Sequence, residues 1–147
     1  MSFFYKKGMT VIEILVVVVV LGIIFLIVIP QFSKMRENQA LKNAVGEIIS
    51  SLNKAQSQTL ASVDSSSYGV HFQPDKVIIF KGAIFSVGDA NNETIDIILP
   101  AIILTSGNVY FNRLTGSSAG INSISVGIPD GPQKTISISA TGVASVN

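Results

Sequence analysis

The hydrophobic pattern of this chain changes character twice. From Ile14 to Ile29, sixteen consecutive residues carry no polar side chain. Apolar positions then return at three- and four-residue steps: Leu41, Ala44, Val45, Ile48, Ile49, Leu52, Ala55 and Leu60, with Lys42, Glu47 and Lys54 between them. Beyond Ser67 the period drops to two, as in Tyr68-Val70-Phe72, which alternates with Gly69 and His71. The first stretch predicts an apolar helix and the second an amphipathic helix that continues it to about Ala61. The third predicts a series of β-strands.

The apolar run starts with an anomaly. Glu13 sits just inside it, although lipid penalises a carboxylate by roughly 2.5–3.5 kcal/mol at a helix centre and less near the interface. Met9–Ile29 is 21 residues, about 32 Å of helix, which spans a bilayer core. Thr10-x-x-Glu13 is a capping-box pattern, so one role for Glu13 is to close the helix N-terminus, where its charge also suits the helix dipole. A secretory signal peptide would need a shorter apolar core followed by a small-x-small cleavage site. The run instead ends in Ile29-Pro30-Gln31-Phe32, so the helix is expected to remain as an anchor. Lys6 and Lys7 before the span favour an N-terminus inside and a body outside the membrane. Gly22 and Pro30 are expected weak points, Gly22 by propensity and Pro30 by loss of a backbone donor, with a bend or loosening at Pro30. A helix from Thr10 to Ala61 would be about 78 Å long, more than a head of 86 residues needs as a core element.

In the head, Tyr68–Phe72 and Val77–Phe80 flank the turn Gln73-Pro74-Asp75-Lys76 and read as a hairpin. Further strands are expected at Ile84–Val87, Thr94–Leu99, Ile102–Thr105, Val109–Phe111, Ser123–Ile128, Thr135–Ser139 and Val143–Val146, punctuated by Gly, Asn, Pro and Ser. A head this small buries only a modest share of its surface alone. Packing its sheet on the Leu41–Leu60 stripe would complete the core. The expected organisation is residues 1–8 as a short basic N-terminal segment, 9–30 as a membrane helix, 31–61 as an amphipathic helix and 62–147 as a β-rich head. The fold class is α+β.

Composition narrows the function. Of 147 residues 48% are hydrophobic and only 13% charged, which fits an anchored protein. The formal net charge of +1 would become −1 without Lys6 and Lys7, a balance that argues against nucleic acid as a partner. With no cysteine, disulfides and Cys-type zinc sites are excluded. Asp89, Asn91, Glu93 and Asp96 form an acidic, amide-rich stretch. Thr94 stands where a calcium loop of the helix-loop-helix type would have Gly, and the closing Glu is missing, so an exposed turn is expected rather than a metal site. His71, the only histidine, falls opposite Tyr68, Val70 and Phe72 in the alternation, which predicts a solvent-facing or edge-strand position. No hydrolase or phosphate-loop signature is present, so no catalytic residue and no cofactor are expected and the chain is not read as an enzyme.

Lys6-Lys7-Gly8 followed by Met9-Thr10-Val11-Ile12-Glu13 resembles the prepilin-type N-terminus of type IV pilins and type II secretion pseudopilins. Gly22 and Pro30 also stand where helices of that family typically carry Gly and Pro. In the head, Tyr68-Gly-Val-His-Phe72, Ile79-Phe80-Lys81-Gly82, Val109–Gly116 and Thr135–Val143 resemble the GspH/FimT-like branch of minor pilins and pseudopilins. The resemblance implies a pilin-like fold, with the long helix packed against an antiparallel β-sheet head. It implies cleavage by a prepilin peptidase between Gly8 and Met9 and N-methylation of Met9. It also implies that Glu13, fifth in the mature chain, pairs with the N-terminal ammonium of a neighbouring subunit. The cap and the pairing are compatible. Met9 departs from the Phe commonest there, which that peptidase class is expected to tolerate. The implied partners are other pilin or pseudopilin subunits, the peptidase/methyltransferase, the inner-membrane assembly platform and the membrane itself. The implied location is the cytoplasmic membrane, single-pass, then a pilus or periplasmic pseudopilus.

Some FimT-like proteins bind DNA through basic residues near the C-terminus, but Ser139–Asn147 holds no Lys or Arg. The expected function is therefore a structural subunit, a minor pilin or H-type pseudopilin. The alternatives are a major pilin and, from another class, a membrane-tethered binding or sensor domain that never polymerises.

Overall fold

The computed structural model describes residues 8–147, so the expected leader falls outside it apart from Gly8. The protein is α+β. One helix, α1 (Val11–Leu60), precedes nine strands: β1 (Tyr68–Phe72), β2 (Lys76–Lys81), β3 (Glu93–Asp96), β4 (Ile102–Ile103), β5 (Gly107–Phe111), β6 (Ser118–Gly120), β7 (Ser123–Gly127), β8 (Gln133–Ile138) and β9 (Ala144–Val146). Two compact units divide the chain at Arg36/Glu37, within α1.

In the first unit, α1 is helical through Gly22 and Pro30.

The second unit, Glu37–Asn147, holds the hydrophobic core. Leu41, Ala44, Val45, Ile48, Leu52 and Ala55 form one stripe of α1, as three- and four-residue spacing requires. Sequence reasoning ended this stripe on Leu60. The structure ends it on Thr59, which is fully buried while Leu60 is 50% exposed. Thr59 is four residues after Ala55 and stays on the stripe; Leu60 is five after it and rotates off.

Two antiparallel sheets, rather than one, pack with this stripe. The first has the order β3-β2-β1-β5-β6 and the second β4-β7-β8-β9. β1 and β2 form the expected hairpin, with Val70 opposite Ile79 and Phe72 opposite Val77. These four side chains face the helix together with Val109 and Phe111 of β5, and Ile124, Val126, Ile136 and Ile138 of the second sheet complete the same cluster. Ile136 and Ile138 are buried while Ser137 between them is not, the alternation expected of a half-buried strand.

Three strand expectations fail. Ile84–Val87 is a loop, and Ile84 and Val87 are over 80% exposed. Thr94–Leu99 shortens to β3, because Ile98 and Leu99 leave the sheet and are exposed. β6, with its sequence Ser-Ala-Gly, carries no apolar alternation and was missed; it exists by pairing with β5.

Candidate functional site

The N-terminal end of α1 is closed by Thr10. Its Oγ1 accepts the Glu13 backbone N–H at 3.3 Å and its carbonyl accepts from Glu13 and Ile14 at 3.1 and 3.2 Å. That is the Thr half of a capping box. The reciprocal half is not made among the described residues, so the Glu13 carboxylate is not spent on the cap and has no ion pair there. Gly8 and Met9 precede the helix and are exposed, Met9 by 67%.

The helix that follows is apolar and uncovered among the described residues. Every large side chain from Val11 to Ile29 is exposed, for example Val11 at 84% and Leu26 at 76%. Burying a Val, Leu, Ile or Phe side chain stabilises by about 1.5–3 kcal/mol. A continuous apolar surface of this size needs lipid or other protein around it. By length and composition α1 is able to cross a membrane.

On the second unit, the face of the first sheet turned away from α1 carries a polar and aromatic cluster. β1 lies between β2 and β5, so His71 is on a central strand and not on an edge. It is half-buried beneath Phe85, which the loop after β2 folds back over the sheet. Asn108 Nδ2 donates to Tyr110 Oη at 2.8 Å, which turns Asn108 Oδ1 toward His71 Nδ1, 2.5 Å away. Gln73 Nε2 lies 3.2 Å from His71 Nε2. The tautomer with its proton on Nδ1 satisfies both contacts. Phe80 and Tyr110 meet edge-to-face at 5.7 Å, and Phe80 does the same with Phe85 at 5.5 Å. Gly69 makes room for this cluster: a Cβ there would come within 2.5 Å of Phe80 Cζ. The imidazole is used in packing and hydrogen bonding.

The acidic stretch also has ordinary partners. Asp89 accepts from the backbone N–H of Asn91 at 2.9 Å and from its side-chain amide at 2.8 Å. These two bonds, the backbone one first, hold its carboxyl below the usual aspartate value. Glu93 pairs with Lys54 of α1 at 2.6 Å across a half-exposed contact. Among the described residues no group of three His, Cys, Asp or Glu side chains converges as a metal site would require.

Comparison of the chain with protein-family models, with curated proteins and with solved structures returned no match.

Proposed function

We propose that this protein is a structural subunit of a fibre of the type IV pilin and pseudopilin class, a minor pilin or H-type pseudopilin. The register Gly8–Met9–Glu13 at the head of an uncovered apolar helix carries this reading. Residues 1–8 are removed by a prepilin peptidase, and Met9 becomes a methylated N-terminus. The Glu13 carboxylate then pairs with the terminal ammonium of the adjacent subunit, and the apolar helices bundle as they leave the membrane.

Electrostatics favours this step. A lone carboxylate among apolar helices is costly, and an ammonium at contact distance offsets much of that cost in a low dielectric. Among the described residues the Glu13 carboxylate has no partner, which supports the pairing, because a completed capping box would have consumed it. Glu13 is also the only ionisable residue between Lys7 and Lys34. The chain itself does no chemistry in this scheme, and work for assembly comes from a separate ATPase.

A second reading is favoured by one observation: the core of Glu37–Asn147 is complete without the apolar segment. A membrane-tethered domain that never polymerises would be built the same way. The mass of the N-terminal peptide from native membranes tests the first reading. A peptide beginning at Met9, with one methyl group added, is expected. One beginning at Met1 or Ser2 would leave the tethered domain.

A further inference from the structure

β3 forms one edge of the first sheet, and its outer side is free. The β2–β3 register sets Val77 opposite Ile95 and Lys76 opposite Asp96. One step further, the Ile97 N–H donates to the Asp75 carbonyl at 2.8 Å. In an antiparallel ladder, hydrogen-bonded and non-hydrogen-bonded pairs alternate. Glu93, Ile95 and Ile97 therefore turn their backbone groups toward β2, and Thr94 and Asp96 turn theirs away from the sheet. No backbone group outside the sheet bonds to Thr94 or Asp96 among the described residues. Two other edges are closed by the chain itself. In β6 the Ser118 N–H donates to the Ala140 carbonyl at 3.2 Å, and in β4 the Ile103 N–H donates to the Pro74 carbonyl at 3.0 Å.

The free edge borders a groove of about 410 Å³ between β3 and α1, lined by Asn43, Ala44 and Gly46 on the helix and by Ile95, Asp96 and Ile98 opposite them. Gly46 keeps it open. A Cβ there would meet nothing within 4 Å, so packing inside the chain does not call for the glycine, which is unfavourable in a helix interior. Lys54 holds Glu93 at 2.6 Å and fixes the start of β3 to the helix. Past the end of β3, Ile98 and Leu99 are 73% and 75% exposed. An unpaired strand edge, a groove beside it and exposed apolar side chains beyond it thus share one place.

We propose that this edge takes up an extended peptide segment of another protein as an added strand. Thr94 and Asp96 present N–H and C=O groups, partial charges of alternating sign, about 7 Å apart along the strand. An extended backbone carries the complementary groups at the same repeat, which is the basis of strand addition. Every second side chain of the added segment enters the groove over Ala44 and Gly46, where an apolar residue fits. Lys42 and Glu47 on the helical wall are of opposite sign, and Lys76 stands across from Asp96. The site therefore asks for no net charge and selects an uncharged segment, apolar at alternate positions. Both readings of the chain place this unit outside the membrane, so the site does not depend on whether the chain polymerises.

The probe is an acetylated and amidated heptapeptide, Thr-Val-Thr-Val-Thr-Val-Thr, added to the full-length protein in detergent micelles. Amide hydrogen exchange should slow about tenfold at Thr94 and Asp96 and stay unchanged at Ile95, which is already bonded to β2. Asp96→Pro deletes an outward N–H, which an edge strand tolerates, and should weaken binding about tenfold. Asp96→Ala removes the charge, keeps the N–H and should bind as the unmodified protein does. Gly46→Leu fills the groove with a better helix former and should abolish binding; it carries the test if Asp96→Pro disturbs the strand.

Unchanged exchange at Thr94 and Asp96 with the peptide at about 1 mM, the weak end of measurable affinity, would overturn the proposal. So would undiminished binding by the Gly46→Leu variant. A loss for Asp96→Ala as large as that for Asp96→Pro would overturn it in favour of a charged ligand. Protection of the two amides without peptide, rising with protein concentration, would show that a second copy covers the edge instead.

Discussion

The rings of His71 and Phe85 lie nearly parallel, 12° apart, with centroids at 3.9 Å. This one stack ties the long connection between β2 and β3 to the middle of the first sheet, since Phe85 is the only large side chain of residues 84–87 that is not mostly exposed. Replacing Phe85 with Ala should therefore loosen the loop without opening the sheet. Stability should fall by roughly 1–3 kcal/mol, from lost apolar area plus the stacking contribution. Hydrogen exchange should rise at residues 83–92 and stay unchanged in β1 and β5. A double-mutant cycle with His71→Ala should return a coupling of about 0.5–1.5 kcal/mol; additive losses would mean that the stack contributes nothing of its own.

Thr59 fastens the end of α1 to the start of the sheet. Its Oγ1 donates to the Ala55 carbonyl at 2.8 Å and accepts the Tyr68 backbone N–H at 2.9 Å, with no solvent access. Thr59→Val keeps the shape and leaves the Tyr68 N–H buried without a partner, so a loss of about 1–3 kcal/mol is expected in chemical denaturation. Thr59→Ser keeps the hydroxyl and should lose less than half of that. A loss for Thr59→Ser with none for Thr59→Val would show that the methyl group matters and the hydrogen bond does not.

The Thr10 cap and the proposed intersubunit pairing of Glu13 separate by mutation. Thr10→Ala removes the cap and should cost about 1 kcal/mol of helix stability, with fibre incorporation maintained. Glu13→Ala should leave trimming and membrane insertion unchanged yet abolish incorporation, because the ammonium of the neighbour loses its counter-charge. Incorporation is measured as the share of the chain recovered in sheared fibres. Normal recovery of the Glu13→Ala variant would favour the tethered domain.

Asp89 makes a pH prediction with a definite sign. Its carboxyl is held below 3.8 by the Asn91 backbone N–H first and the Asn91 side chain second. A depressed folded value means the turn is favoured at pH above the ordinary aspartate value, and that contribution is lost as pH falls through the lower folded value. An NMR titration should place the midpoint of the Asn91 amide shift below the ordinary aspartate value. Asn91→Ala should raise the midpoint part of the way, since the backbone donor remains. A midpoint at or above 3.8 in the unmodified protein would contradict the hydrogen bonds described for this turn.

The α+β class, the helix limits to within a residue or so and the β1–β2 hairpin were all legible before any coordinates. They rest on local rules: side-chain periods of 3.6 and 2, and turn residues such as Pro74-Asp75. Thr10 as a cap was legible for the same reason, because capping involves only neighbours in sequence. The candidate processing and assembly residues Gly8, Met9 and Glu13 are a sequence motif, and the geometry adds to them only that, among the described residues, the Glu13 carboxylate has no partner and the face behind it is uncovered.

What the sequence could not decide is whatever depends on a partner far along the chain. Apolar content made Ile84–Val87 look like a strand, but with no neighbour to pair with it became the loop that delivers Phe85 to His71. β6 has almost no strand signal of its own and owes its existence to the open edge of β5. His71 could not be placed from alternation, which assigns a face but does not say what covers it. The split into two sheets, the burial of Thr59 in place of Leu60, and the exposure of Ile98 and Leu99 are likewise tertiary outcomes. Periodicity fixes which side chains share a face; only the folded chain decides which faces meet, because that choice weighs burial over the whole molecule rather than preference along a few residues.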